Sequence, residues 1–247
     1  MKTSPTVMVT HGVTDSAECL TSLIDTLAPI APTQGIDLPG HGDSPRIHHL
    51  DDPIEEMADY LQAKVAPQAP VILIAHSMGA AVSTVVAARR PDLVSALVVE
   101  DPAWLTTEQA ARYRADGEHS ARRLAEIAAA PAAARAGLLA DYPHCSPADA
   151  DGWLKAKLSC QREFVATGIV GVEDWRRVVG ALSCPTLLIT GDGDDILIGP
   201  RRAQEIREEY PLIETAVIPG ARHSVRLDAP GHYYQVLRRW LAARLAA

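Results

Sequence analysis

The run Val71-Ile72-Leu73-Ile74-Ala75-His76-Ser77-Met78-Gly79-Ala80-Ala81 restricts the fold more than any other part of the chain. Four apolar residues, three of them β-branched, read as a strand buried on both faces, and the Ala- and Val-rich run that follows reads as a buried helix. Ser77 falls at the joint. A strand that passes directly into a helix holds its joint residue in a strained backbone conformation and projects that side chain beyond the carboxyl edge of the sheet. Bulk is absent where such a turn would pinch, because Ala75 stands two residues before the serine and Gly79 two after. The helix start also aims its first N–H groups, that of Met78 among them, at any negative charge forming beside Ser77. This is the layout of a nucleophile elbow.

The rest of the chain suits one sizeable core. At 247 residues, 47% hydrophobic and 22% charged, it reads as a single globular core domain with an insertion, and its lone Phe leaves packing to Ala, Leu and Val. A net charge of −8 argues against nucleic acid or an anionic membrane as partner, since phosphate binding needs a clustered basic face. The pairs Arg122-Arg123, Arg176-Arg177, Arg201-Arg202 and Arg238-Arg239 have acidic or apolar neighbours and read as solvated helix faces. The first residues lack the basic and apolar regions of a signal peptide, and no later run reaches the length of a membrane span, so a cytoplasmic protein is expected. Cys19, Cys145, Cys160 and Cys184 are scattered without metal-ligand spacing, which predicts reduced, buried thiols and no metal site.

Strand and helix alternate regularly through the first hundred residues. Thr6 to Thr10 reads as a first strand ending in the loop His11-Gly12-Val13, where the N–H of Val13 is a candidate partner to that of Met78 in holding an oxyanion. His11 is expected to orient this loop or fill space. A helix to Leu27 follows, then a short strand over 33–37 and the Gly- and Pro-rich turn Leu38 to Pro45, read as structural. A helix from Ile54 to Val65 leads into the elbow strand, and Val94 to Val99 forms a fourth strand ending at Glu100-Asp101-Pro102. From 103 to 182 the pattern turns helical, with segments over 107–114, 121–130 and 148–158, and this stretch is expected to be a helical cap on a core built from 1–102 and 183–247. Strands over 185–190 and 214–218 complete the sheet, each followed by a loop, Gly191-Asp192-Gly193-Asp194-Asp195 and Gly220-Ala221-Arg222-His223. A last amphipathic helix runs from Gly231 to Ala246. The alternation implies a doubly wound, mainly parallel sheet with functional loops at the strand carboxyl ends.

Taken together, the His11-Gly12 loop, the Asp37-x-Pro-Gly-His-Gly-x-Ser44 stretch, the elbow, Gly191-x-x-Asp194 and Gly220-Ala221-x-His223 resemble the α/β-hydrolase-fold serine hydrolases over nearly the whole chain. The resemblance implies a triad in the order nucleophile, acid, histidine, matched by Ser77, Asp194 and His223. Asp192 and Asp195 are near alternatives for the acid. Glu100 and Asp101 are more distant ones, because some relatives place the acid after the preceding strand. Ala75 stands where the family's first elbow Gly is commonest, a change to another small residue. The family's usual first two strands find no counterpart, since only five residues precede Thr6, so a trimmed sheet of about six parallel strands is expected.

The reaction this resemblance implies is hydrolysis of a small, partly apolar ester, thioester or lactone through an acyl-serine, with Val13 and Met78 N–H as oxyanion hole and no cofactor. Trp104, directly after the fourth strand, is the expected wall of the substrate pocket, whereas Trp153 and Trp175 read as helix packing. Two other readings stay open. One is a carbon–carbon hydrolase or a lyase similar to the short menaquinone-pathway enzymes, although Ala80-Ala81-Val82 offers no arginine for a polyanionic substrate. The other is a small-molecule receptor on the same fold with an idle triad.

Overall fold

A computed structural model describes residues 5–245. The segment 1–4, read above for a leader, and the expected helix end at Ala246 lie outside the described residues. In chain order the elements are β1 (Val7–Thr10), a 3-10 turn (Ala17–Leu20), α1 (Thr21–Leu27), β2 (Thr33–Ile36), α2 (Pro53–Val65), β3 (Val71–His76), α3 (Ser77–Arg89) and β4 (Val94–Glu100). Five helices follow: α4 (Thr107–Ala129), α5 (Pro131–Asp141), α6 (Pro147–Ser159), α7 (Arg162–Thr167) and α8 (Trp175–Gly180). The chain then returns to β5 (Thr186–Gly191), α9 (Gly199–Glu209), β6 (Ile213–Ile218), α10 (Val225–Asp228) and α11 (Pro230–Leu245).

Among the described residues the sheet has six strands in the order β2-β1-β3-β4-β5-β6, every neighbouring pair parallel. The two-residue period of a strand sorts its side chains into two apolar clusters. Met8, Leu73, Leu97, Val99 and Leu188 face α2, α3 and α9, while Val7, Val9, Ile72, Ile74, Val98 and Ile189 face α1 and α11. With both faces covered, β3 is buried along its whole length, as its unbroken apolar run requires. The chain leaves β1 for β2 on one side and reaches β3 on the other. That reversal opens a crevice at the carboxyl ends of β1 and β3, where open parallel sheets bind their ligands.

The helical stretch between β4 and β5 departs from the sequence reading in detail. The segments expected over 107–114 and 121–130 are one helix, α4, despite the unfavourable run Asp116-Gly117. Packing decides this: a Cβ at Gly117 would meet the Ala166 carbonyl oxygen at 2.3 Å, so the glycine lets α4 lie directly on α7. Pro131 ends α4 but also opens α5 in the first-turn position where proline loses no hydrogen bond.

Candidate active site

Three described residues other than glycine have positive φ, namely Thr14 (63°), Ser77 (52°) and Asp101 (39°), and they sit just past the carboxyl ends of β1, β3 and β4. Such strain persists only where the surrounding structure enforces it. At Ser77 the enforcement is visible. The N–H of Gly79 donates to the His11 carbonyl at 3.0 Å, and a Cβ on Gly79 would meet that oxygen at 2.3 Å, so only glycine lets α3 seat against the β1 loop. The N–H of Ala103 donates to the Ser77 carbonyl at 3.0 Å and ties the elbow to the end of β4.

Ser77 and His223 come together: Oγ lies 2.9 Å from Nε2. The imidazole Nδ1 lies 2.6 Å from Oδ2 of Asp101. With Nδ1–H donating to the carboxylate, Nε2 is left as the acceptor of the serine proton. Asp101 is fully buried and takes three further donors, the Thr190 hydroxyl at 2.8 Å and the N–H groups of Leu197 at 2.8 Å and Ile198 at 3.0 Å. Burial disfavours the His223 cation, but the hydrogen bond and charge of Asp101, with the charges of Asp195 and Glu100, outweigh it and raise the pKa above the ordinary histidine value.

The carboxylate that meets His223 is therefore that of Asp101, and not that of Asp194, the acid expected from the sequence. Asp194 is exposed, and none of its atoms hydrogen-bonds among the described residues. Its loop contributes otherwise. Asp192 accepts from Gly220 N–H at 2.6 Å and Asp195 from His223 N–H at 2.9 Å, which holds the histidine loop, while the N–H groups farther on close around Asp101. Glu100 faces away from His223 and accepts from the backbone and the guanidinium of Arg226, at 2.9 and 3.0 Å. Adjacent residues at the strand end thus anchor the histidine loop at two points.

Val13 lines the cavity beside Ser77. Met78 is the second residue of α3, so its N–H is one the helix cannot satisfy internally. His11 is wholly used in place: Nδ1–H donates to the Gly12 carbonyl at 2.9 Å and Nε2 accepts from Leu38 N–H at 3.0 Å. Asp37 accepts from Ala17 and Asp43 N–H, which makes the Asp37–Ser44 stretch a folded brace.

Trp104 does not line this cavity. It is fully buried, stacks on Trp175 at 5.8 Å and donates from Nε1 to the Thr84 hydroxyl at 3.2 Å. The aromatic walls are Tyr113, Tyr142 and Trp153, so Trp153, read from sequence as packing, is the tryptophan that faces Ser77's cavity.

A further residue in the cavity wall gave no signal in the sequence. Lys157 of α6 donates to the Thr14 carbonyl at 3.0 Å and to Asp15 at 2.6 Å, both on the β1 loop. Burial would raise the Asp15 pKa, but the charge and hydrogen bond of Lys157 hold the carboxyl well below the usual range. Burial also pushes the thiols of Cys19 and Cys160 up to about 12, and all four cysteines are free and buried. No described helix is long and apolar enough to cross a membrane, and no described group of three or more His, Cys, Asp or Glu is placed to hold a metal.

A six-stranded parallel sheet with a serine, a histidine and an aspartate meeting at its carboxyl edge defines an α/β-hydrolase. The chain belongs to the family described as serine aminopeptidase, S33, whose model matches residues 2–230. It is 28% identical to the sn-1-specific diacylglycerol lipase ABHD11 of Mus musculus, over 97% of this chain and 82% of that one. It is 27% identical to a pimeloyl-[acyl-carrier protein] methyl ester esterase of Neisseria meningitidis, over 88% of this chain and 85% of that one. Among solved structures, E-2-(acetamidomethylene)succinate hydrolase superposes with a TM-score of 0.76 at 22% identity, covering 98% of this chain and 93% of that one. These findings make the protein a hydrolase.

Proposed function

We propose that this hydrolase cleaves a small, partly apolar ester, thioester or lactone through an acyl-serine on Ser77. The observation that carries this reading is the unbroken hydrogen-bonded line from Ser77 Oγ through His223 to Asp101. Ser77 Oγ attacks the substrate carbonyl and passes its proton to His223 Nε2, while Asp101 stabilises the imidazolium. The oxyanion of the tetrahedral intermediate faces the N–H groups of Val13 and Met78. Its collapse breaks the bond to the leaving alcohol or thiol, which takes the proton from His223. A water then gives a proton to His223 and attacks the acyl carbonyl, and the collapse of that intermediate breaks the bond to Ser77 Oγ, which takes the proton back from His223 as the acid is released. The chain's similarity to a diacylglycerol lipase and a methyl ester esterase supports this reading.

The carbon–carbon hydrolase reading has less support. The two cations beside the catalytic cavity are already paired, Lys157 with Asp15 at 2.6 Å and Arg226 with Glu100 at 3.0 Å, which leaves little free positive charge for a polyanion. Intact-mass analysis after fluorophosphonate treatment tests the nucleophile. One adduct on the wild type, absent from Ser77→Ala, is expected, together with repeated turnover on an ester and lactone panel. A folded wild type that takes no adduct, or that is modified once without turnover, would overturn the reading.

A further inference from the structure

Behind the catalytic cavity lies another. The first, about 200 Å³, contains Ser77 and His223; the second, about 250 Å³, runs beneath α4, and the two share Val13, Tyr113, Trp153 and Lys157 in their walls. We propose that the second cavity holds an unbranched apolar chain of the substrate whose scissile carbonyl sits at Ser77. The proposal rests on the hydrolase reading above and specifies its substrate.

Three observations carry it. First, one wall is a continuous helical stripe, Tyr113, Gly117, Ser120, Leu124 and Ile127, the inward side of an otherwise mostly exposed α4. At 1.5 Å rise per residue this stripe spans roughly 20 Å, an elongated wall. Second, its width is set by backbone. A Cβ on Gly117 would meet the Ala166 carbonyl at 2.3 Å and one on Gly168 the Tyr113 carbonyl at 2.1 Å, and both glycines line the slot, so α4 and α7 cannot spread or close by changing rotamers. Third, the most buried residues of the lining, Leu124, Val165 and Val170, are apolar. Of the two cations in its lining, Lys157 is committed to Thr14 and Asp15, and Arg123 lies on the exposed side of α4. A flexible hydrocarbon chain fits the apolar part of such a slot.

Steady-state hydrolysis of p-nitrophenyl esters from acetate to decanoate, in parallel with a series of alkyl acetates, tests this on the wild type, Ser120→Trp and Ile127→Trp, with circular dichroism as the check on folding and Ser120→Leu as a milder variant. Each methylene excluded from the slot weakens transition-state binding severalfold, so excluding two lowers kcat/KM by about tenfold. Ser120→Trp is expected to lower kcat/KM for octanoate by at least that while leaving acetate within about twofold. Ile127→Trp, farther along the stripe, should spare butanoate and reduce decanoate. Whichever series shows the loss identifies the chain as acyl or alkoxy. Equal effects on short and long esters, or unchanged ranking in both series, would overturn the proposal. Should the wild type turn over no ester, the ester-cleavage reading fails by itself, and calorimetry with octanoate decides the slot. Binding that Ser120→Trp abolishes supports it, and absent or unaltered binding overturns it.

Discussion

Asp101 has no solvent exposure, yet its carboxylate meets four donors, and this explains how a buried anion survives beside an imidazole. Neutralising it isosterically should leave the fold intact and misdirect the His223 tautomer. Asp101→Asn is expected to lower kcat by about 10³- to 10⁴-fold, whereas Asp194→Asn stays near wild type. The same carboxylate is expected to set the pH profile. Protonated His223 cannot accept the serine proton, so kcat/KM is full above the histidine pKa and declines as pH falls through it. Because that pKa is raised, the acid limb should lie above the ordinary value of 6.5. In Asp101→Asn the residual activity should show the limb moved to lower pH, as a pH–rate series would reveal. An unmoved limb would mean that another group sets it.

At the scale of elements, α6 is more than covering. Through Lys157 it reaches the strained Thr14 and the carboxylate of Asp15, next to the Val13 amide proposed for the oxyanion. Removing one partner of a buried pair strands the other, at a cost of about 3–5 kcal/mol. Lys157→Met should therefore destabilise by about that amount in urea unfolding, and Asp15→Asn on the same background should restore part of it. If α6 also positions the loop, Lys157→Met lowers kcat more than it raises KM, and Lys157→Arg recovers most of the rate. Equal changes in both variants would assign Lys157 to stability alone.

For the whole molecule, the helices between β4 and β5 share the main core. Trp104, Phe164, Trp175 and Val179 belong to the same buried cluster as Met8, Leu73 and Leu188 of the sheet. The insertion is thus fused to the sheet through its apolar base, and one cooperative transition is expected, with tryptophan fluorescence and far-UV circular dichroism coinciding in urea. Two separated transitions would instead show the helices folding as an independent unit. A satellite cluster around Leu138, Cys145 and Ala150, with Trp153 beside it, has a small core and is expected to loosen first.

The sequence by itself determined the strands, because a two-residue period or an unbroken β-branched run admits little else, and it determined the elbow, because small residues must flank a serine held at φ 52°. It also set the order of serine and late histidine. Only the tertiary structure decided which carboxylate meets the histidine. Asp101 and Asp194 are both carboxylates just past a strand, and nothing local distinguishes them. The choice was made by the Thr190 hydroxyl and the amides of Leu197 and Ile198, which converge on one aspartate and leave the other in water. The same holds for the tryptophans and for Lys157. Whether an aromatic ring packs on another ring or faces a cavity, and whether a helical lysine meets solvent or a buried aspartate, depends on partners distant in sequence, and only the packing of the sheet against its helices brings those partners into contact.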